Sequence, residues 1–146
     1  MIYFDTSYLV RLYYQAAGAD AVRALAATDH VACAAHGQAE MMAAFHRKLR
    51  EGAIRPSAYA ALVGQVQAHI DEGAFRWLPQ DADVLLRIRH AYRKLPASVF
   101  LRGADSIHLA TAAEAGFRII YSNDAHLLSA AKHFGIEGRN VIRQTP

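Results

Sequence analysis

Residues 1–12 read MIYFDTSYLVRL, and this stretch decides the fold. Its short apolar run, residues 2–4, is typical of a buried strand. Asp5 and the two hydroxyl residues after it precede apolar residues at helical spacing, which predicts a helix start. Asp5 therefore lies where a strand passes into a helix. In open α/β sheets, binding sites form at this carboxyl edge of the strands. The alternative interpretation is that Asp5 only caps the helix.

The rest of the chain repeats this alternation. Further strands are predicted at 30–35, 75–78, 118–121 and 140–142, and further helices at 20–27, 37–51, 56–70, 81–95, 104–115 and 124–134. Strands that alternate with helices predict a parallel sheet covered on both faces. Because no repeat, low-complexity tract or linker interrupts the pattern, residues 1–146 are expected to form a single α/β domain.

Composition narrows the class of protein. The chain has 146 residues, 53% hydrophobic and 20% charged, as globular proteins do. No apolar run approaches the roughly 20 residues that cross a bilayer, and no basic region with an apolar core marks a secretory signal. Cys33 is the single cysteine, which fits a reducing cytoplasm as the expected location. A net charge of +3 and a pI of about 9.2 permit a nucleic-acid partner.

Three more acids can reach the edge where Asp5 emerges. Asp124 follows the strand at 118–121 as Asp5 follows the first strand, and Glu40 begins the helix after the second strand. Asp105 begins an apolar helix that is poor in other charges, where a buried unpaired carboxylate would be costly. Taken singly, each acid could be a cap, a partner of a helix dipole or an exposed residue. Taken together, they favour a common acidic pocket.

Clustered carboxylates repel one another unless a cation neutralises them. Oxygen-only ligands suit Mg²⁺, with Mn²⁺ as a substitute. Zinc is disfavoured, because Cys33 stands alone and none of the eight histidines forms an HExxH pair. The chemistry that uses a carboxylate-bound metal of this kind is phosphodiester hydrolysis, in which the metal activates a water and stabilises the departing oxygen.

These motifs resemble the PIN domain family and, within it, the VapC-like ribonuclease toxins of type II toxin–antitoxin systems. The resemblance covers essentially the whole chain. It depends on four short motifs in this order: the opening strand with Asp5-Thr6-Ser7, Glu40 within QAEMMAAF, Asp105 within GADSIHLATA, and Asp124 within SNDAHL.

The resemblance implies a three-layer α/β/α sandwich with a central, mostly parallel sheet. It also implies a Mg²⁺-dependent endoribonuclease whose partners are RNA, a small cognate antitoxin protein and a second copy of the chain. Asp5, Asp105 and Asp124 would ligate the metal, Glu40 would complete the acidic pocket, and Ser7 would assist by hydrogen bonding. One departure is Ser122, where the family more often has Thr; both residues carry a hydroxyl group.

Residues for substrate contact are expected beside these acids. Arg102 precedes Asp105 in a loop and is the best phosphate contact; Ser7, Ser122 and Asn123 complete the expected set. Two further sets of residues keep alternative interpretations. Basic residues elsewhere in the chain either contact RNA or form a solvated helix surface. A set of aromatic residues either belongs to the core or is exposed for docking or base stacking. The basic groups are 46–50 together with Arg87, Arg89, Arg93 and Lys94, and the aromatic residues are Tyr8, Tyr13, Tyr14 and Phe100.

Two other functions compete with the nuclease. A catalytically inactive PIN-fold module could bind RNA or a partner protein, although the retained acids speak against it. A receiver-like or phosphatase-like α/β enzyme usually has a second acid beside the first or two residues after it. Those neighbours here are Phe4, Thr6 and Ser7, so this third hypothesis ranks last.

Overall fold

A computed structural model of the protein describes residues 1–142. Its sheet has the order β3-β2-β1-β4-β5, and every neighbouring pair of strands is parallel. The strands are β1 (Ile2–Phe4), β2 (Val31–Ala34), β3 (Phe75–Leu78), β4 (Ile119–Tyr121) and β5 (Glu137–Arg139). The expected parallel sheet is confirmed.

Helices connect the strands and cover the sheet. They are α1 (Thr6–Tyr13), α2 (Ala19–Ala26), α3 (Gly37–Arg50), α4 (Pro56–Asp71), α5 (Ala82–Lys94), α6 (Gly103–Glu114) and α7 (Ala125–Ala130), which a 3₁₀ turn at Ala131–Phe134 continues. Within residues 1–142, none of these helices has the length and apolar character needed to cross a bilayer.

Two apolar cores lie on opposite faces of the sheet, because successive strand residues point to opposite sides. In β1, Tyr3 joins one core and Phe4 joins the other. The Tyr3 core contains residues of α5, α6, α7 and the 3₁₀ turn, whereas the Phe4 core contains residues of α1, α2, α3 and α4. The three-layer α/β/α sandwich is therefore confirmed.

The last strand differs from the prediction. β5 runs over Glu137–Arg139, three residues before the predicted 140–142. The sequence signal there is weak, because two exposed charged residues flank Gly138, whose Cα packs so closely on Leu128 that a Cβ would lie 2.8 Å from Cδ2. The apolar pair Val141 and Ile142 that suggested a strand instead packs into the Phe4 core.

The strand order creates a switch point beside β1. The chain leaves β1 towards β2 on one side, and later returns through β4 on the other side. Crevices at such a point, outside the carboxyl ends of the strands, are where open α/β sheets bind ligands. Asp5 follows β1 directly, and Ser122 follows β4 directly.

Candidate active site

Asp5 lies at the centre of this edge and is only 5% exposed. Its Oδ1 accepts hydrogen bonds from Ser7 Oγ at 2.7 Å and from the Tyr8 backbone N–H at 3.2 Å, and its Oδ2 accepts one from Ser122 Oγ at 2.6 Å. Burial raises the pKa of the Asp5 carboxyl, although the charge of His108 and the three hydrogen bonds act in the opposite direction. Asp5 does cap α1, but it is also a buried carboxylate whose hydrogen bonds all come from uncharged donors.

The segment after β4 is tied to the Asp5 loop by hydrogen bonds. Ser122 is fully buried, and its Oγ accepts from the Asp124 N–H at 2.9 Å while it donates to Asp5. The Asn123 N–H donates to Ser7 Oγ at 3.0 Å. Asp124 caps α7 through Oδ1, which accepts from two backbone N–H groups, while Oδ2 remains available to other partners. Ser122 therefore holds the Asp5 carboxylate and the Asp124 backbone from beneath the surface.

Asp105 lies in the first turn of α6 and is 7% exposed, so its expected burial is confirmed. Its carboxylate is paired with Arg102, whose Nε donates to Oδ2 at 2.7 Å. The same guanidinium also donates to Asp124 Oδ2. Sequence reasoning assigned Arg102 to the substrate, but in the structure it neutralises two of the predicted acids. We refer to Asp5, Asp105 and Asp124 as the aspartate row.

Glu40 faces a different set of partners. Its Oε2 accepts from Thr6 Oγ1 at 2.5 Å and lies 2.8 Å from His108 Nε2 and 3.5 Å from His36 Nε2. Burial acts to raise the pKa of Glu40, but the hydrogen bond and charge of His108, the Thr6 hydroxyl and the charge of His36 outweigh it and lower this pKa to about 2. Glu40 is therefore ionised at neutral pH. We refer to His36, Glu40 and His108 as the imidazole cluster.

Among the described residues, the imidazole cluster is the only group of three or more His, Cys, Asp or Glu side chains whose ligand atoms all lie within 4.8 Å of one another. The three carboxylates of the aspartate row do not lie this close together. The row is a chain of contacts in which Ser122 joins Asp5 to Asp124, and Arg102 joins Asp124 to Asp105. The structure thus brings all four predicted acids to one edge of the sheet and divides them between two neighbouring groups.

Comparison with known proteins identifies the family. The family model of the PIN domain matches residues 2–133. The chain belongs to the PIN domain family. A search of curated proteins finds no match.

Solved structures resemble this PIN domain along nearly its whole length. FitAcB from Neisseria gonorrhoeae has a TM-score of 0.75 at 19% identity, covering 94% of this chain and 96% of that chain. FitAB bound to an IR36 DNA fragment has a TM-score of 0.75 at 17% identity, covering 100% and 99%. VapC20 from Mycobacterium tuberculosis, described as a sarcin-ricin loop cleaving toxin, has a TM-score of 0.66 at 19% identity, covering 89% and 95%. At these identities, the likeness shows a common fold.

A basic cleft adjoins Glu40 in this PIN domain. A cavity of about 480 Å³ beside Glu40 is lined along α3 by Ala43, Ala44, His46, Arg47 and Arg50. A second cavity of about 540 Å³, lined by α5, α6 and the 3₁₀ turn, contains none of the predicted acids. Of the aromatic residues left open by the sequence, Tyr8 is fully buried, whereas Phe100, in the loop before Arg102, is 57% exposed.

Sequence reasoning missed three residues around Glu40. Thr6 was recognised only as part of a helix start and of the Asp5-Thr6-Ser7 motif, and no site role was assigned to His36 or His108. One signal was present: His108 is an imidazole within the otherwise small and apolar helix α6, and it is only 2% exposed. Burial, and after it the charge of His108, lowers the pKa of His36.

Proposed function

We propose that this PIN domain is a metal-dependent endoribonuclease that hydrolyses phosphodiester bonds of RNA. Asp5 is the observation that carries the proposal. A carboxylate that is 95% buried, at the switch point of a parallel sheet, accepts hydrogen bonds only from uncharged donors. Burying such a charge is unfavourable unless a cation joins it. A structural cap would not need that burial, because exposed caps serve equally well.

The donors at this edge fit Mg²⁺, with Mn²⁺ as a substitute. Asp5, Asp105 and Asp124 offer oxygen ligands only, which these hard cations prefer. Arg102 occupies two of the three carboxylates, but its side chain is 56% exposed and can turn towards solvent when a metal replaces it. A bound Mg²⁺ would supply a more acidic water and would polarise the phosphodiester.

The protein's own residues would position these groups. Ser7 and Ser122 fix the two oxygens of Asp5, which sets the direction of its free lone pairs. Glu40 completes the acidic pocket as a permanent negative charge. With a pKa of about 2 it is a poor proton acceptor near pH 7, because a general base works best when its pKa lies near the operating pH. Its role is therefore electrostatic.

Substrate binding would use Arg102 and the basic cleft on α3. Arg102, once released from the aspartates, would contact a phosphate at the site, while Arg47 and Arg50 would contact neighbouring phosphates. Ser7 and Asn123 lie on the loops at the rim of the pocket, and Ser122 would act on the substrate indirectly by holding Asp5. Binding of this kind weakens as salt is raised.

We further propose that the nuclease is the toxin of a toxin–antitoxin pair and acts in the cytoplasm. Family membership and the fold shared with VapC20, a toxin by its description, support this role. The partners would be a small cognate antitoxin protein and a second copy of the chain, which gives a homodimer. A short reading frame directly upstream of the gene is the expected supporting observation.

Incubation of the purified protein with RNA and Mg²⁺ or Mn²⁺ tests the proposal. We expect cleavage that stops in EDTA and in Asp105→Asn, while Asp20→Asn, a change at an exposed acid on α2, cleaves as the wild type does. Cleavage that continues in EDTA or in Asp105→Asn would overturn the metal–carboxylate mechanism.

A catalytically inactive binding module is the second candidate. The pairing of Arg102 with Asp105 and Asp124 favours it, because that guanidinium already neutralises two acids. If no RNA is cleaved under any metal condition while RNA binding persists and falls with salt, the binding module replaces the nuclease.

A further inference from the structure

We infer that the imidazole cluster is a binding site for a divalent transition metal of the zinc type, next to but separate from the aspartate row. The ligands would be Nε2 of His36, Oε2 of Glu40 and Nε2 of His108. This inference concerns metal binding by the folded chain and holds whether or not the chain cleaves RNA.

The spacing of the ligand atoms fits a tetrahedral ion. Ligands at about 2.0–2.1 Å from Zn²⁺ lie roughly 3.3–3.4 Å from one another. Glu40 Oε2 is 3.5 Å from His36 Nε2 and 2.8 Å from His108 Nε2. The second distance must lengthen by about half an ångström, a shift that the Glu40 side chain, 33% exposed, can make. The ligand atoms of all three residues lie within 4.8 Å of one another.

The arrangement of the ligands on the fold has the character of a metal site. His36 and Glu40 are four residues apart at the start of α3, so they share one face of the helix. His108 comes from α6, in the opposite layer of the sandwich. An ion held by all three would join the two layers at the edge of the sheet.

His36 supplies an independent sign of a missing ligand. Both of its ring nitrogens are buried, and within residues 1–142 neither makes a hydrogen bond of good geometry. The polar groups near the ring are the Ala104 backbone and Glu40 Oε2, the latter 3.5 Å from Nε2. Buried polar atoms in native proteins nearly always have partners. The ring lies with its centroid 4.3 Å from that of His108, so two imidazoles converge on one carboxylate. A cation that accepts nitrogen ligands would satisfy His36 directly.

His108 also has the support that metal-binding histidines commonly have. Its Nδ1 lies 3.2 Å from the Tyr3 hydroxyl, which in turn accepts from the Ala34 N–H at 3.1 Å. A fixed partner on one ring nitrogen orients the other nitrogen towards a metal. Two imidazoles and one carboxylate favour zinc and its neighbours over Mg²⁺, which prefers oxygen ligands. The absence of an HExxH motif argued against zinc in the sequence. The fold nevertheless brings His108 next to His36 and Glu40, although it is distant from them in the sequence.

Zinc binding to the full-length protein, freed of metal beforehand, tests the inference. We expect one Zn²⁺ per chain by calorimetry, and an intense visible absorption band when Co²⁺ replaces it. Because binding to the native state alone stabilises it, Zn²⁺ at about 100 times its dissociation constant should raise Tm by about 5–10 °C. Mg²⁺ at the same concentration should leave Tm within about 1 °C of its metal-free value, given the donor set.

Substitutions of the proposed ligands test which residues bind Zn²⁺. His36→Gln should weaken Zn²⁺ binding at least about 10-fold and remove the Co²⁺ band, since one of three ligands is lost. His108→Gln should do the same, and His36→Gln is the more secure test because His36 lies nearer the surface. His30→Gln, at an exposed histidine, is the matched control and should bind as the wild type does.

Asp5→Asn separates this inference from the proposed nuclease. It should abolish Mg²⁺-dependent cleavage and leave zinc affinity within about twofold, because Asp5 is not among the three ligands. Zinc binding that His36→Gln leaves unchanged, or that Asp5→Asn reduces as strongly as His36→Gln does, would overturn the imidazole site. Absence of RNA cleavage by the wild-type protein would overturn the nuclease alone.

Discussion

Asp5 and Glu40 lie at the same edge of one sheet, yet their surroundings shift their pKa values in opposite directions. Asp5 has only uncharged hydrogen-bond donors, and burial raises its pKa. Glu40 has two imidazoles and the Thr6 hydroxyl, and these lower its pKa to about 2 despite its burial. The difference teaches that burial alone does not decide whether the pKa of an acid rises or falls. The charge of the side chains beside the acid decides the direction of the shift.

The two acids therefore have opposite effects on stability. An acid whose folded pKa is raised destabilises the fold when it is ionised, whereas an acid whose folded pKa is lowered stabilises it. Native proteins keep acids with a raised folded pKa mostly where function requires them. Asp5 fits a residue retained for binding a cation, and Glu40 fits a residue that also holds the structure together.

The largest expected effect is that of Asp5→Asn on catalysis. Removing a metal ligand should lower the rate of RNA cleavage by about 10³-fold or more. Because burial raises the pKa of Asp5, ionisation of this carboxyl opposes folding, so without metal the neutral amide should raise the free energy of unfolding. Cleavage assays and urea unfolding in EDTA measure the two effects, with Asp20→Asn as the control. A lower stability would mean that Asp5 has a neutralising partner in the folded state.

Ser122→Ala should have the next largest effect. It removes the hydroxyl that donates to Asp5 and accepts from the Asp124 N–H, so the aspartate row loses its orientation. Changes to groups that support metal ligands typically lower affinity or activity by about 10–100-fold. We expect that loss in Mg²⁺-dependent cleavage, while Ser122→Thr, which keeps the hydroxyl, retains most of the activity. Equal activity in the Ala and Thr variants would show that Ser122 does not position Asp5.

Glu40→Gln should destabilise the protein, in contrast to Asp5→Asn. The lowered pKa of Glu40 corresponds, after allowance for its partial exposure, to about 1–2 kcal/mol of stability at pH 7. Urea unfolding at pH 7 in EDTA measures the loss. Glu51→Gln, at an exposed acid directly after α3, is the matched control and should change little. If Glu40→Gln is as stable as the wild type, the imidazoles do not interact with the carboxylate in solution.

The stability difference between the wild type and Glu40→Gln should also depend on pH, which is a smaller but more specific effect. Because the folded pKa of Glu40 lies near 2 and the ordinary pKa of a glutamate is about 4.5, its contribution to stability is complete above about pH 4.5 and disappears as the pH falls towards 2. The stability gap between the wild type and Glu40→Gln should therefore narrow across that range. Unfolding curves at intervals of half a pH unit test it; a gap that stays constant would assign the loss to packing rather than to charge.

Arg102→Ala should have the smallest effect, and it distinguishes the members of the aspartate row. Loss of the guanidinium frees Asp105 and Asp124, so the Mg²⁺ concentration for half-maximal cleavage should fall severalfold, about 3–10-fold. RNA affinity should fall, and the salt dependence of binding should weaken by about one phosphate contact. Arg118→Ala, at an exposed arginine directly before β4 and outside the basic groups considered for RNA contact, serves as the control. An unchanged Mg²⁺ requirement would mean that Arg102 does not compete with the metal.

Much of the fold could be predicted, because apolar runs and helix caps are local signals. β1 and β3 occur where residues 2–4 and 75–78 predicted them, and Asp5 and Asp124 cap the helices that follow their strands. β5 could not be placed, since its charged residues give no apolar run and the pairing with β4 depends on the whole sheet.

The sequence allowed the positions of the acids to be predicted, but not the arginine and histidine side chains that contact them. Strand ends place acids at one edge whatever their neighbours are, so the edge position of Asp5 and Asp124 followed from sequence order. Which acid meets an arginine and which meets an imidazole depends on how α6 packs across β2 and β4. His108 and Glu40 are 68 residues apart, and no spacing rule connects them.

The central position of β1 has a consequence for the timing of motions at the site. β1 is hydrogen-bonded to strands on both sides, and the Asp5 N–H extends this pairing to Tyr121 O at 3.1 Å. Amides in such a strand exchange with solvent only when the whole domain opens, whereas exposed loops open far more often. Arg102, at the end of such a loop, can therefore leave and return many times during the lifetime of a single native state. The central acid of the site is thus fixed on the most protected strand of the sheet, whereas the arginine that neutralises its two neighbours, Asp105 and Asp124, lies on an exposed loop.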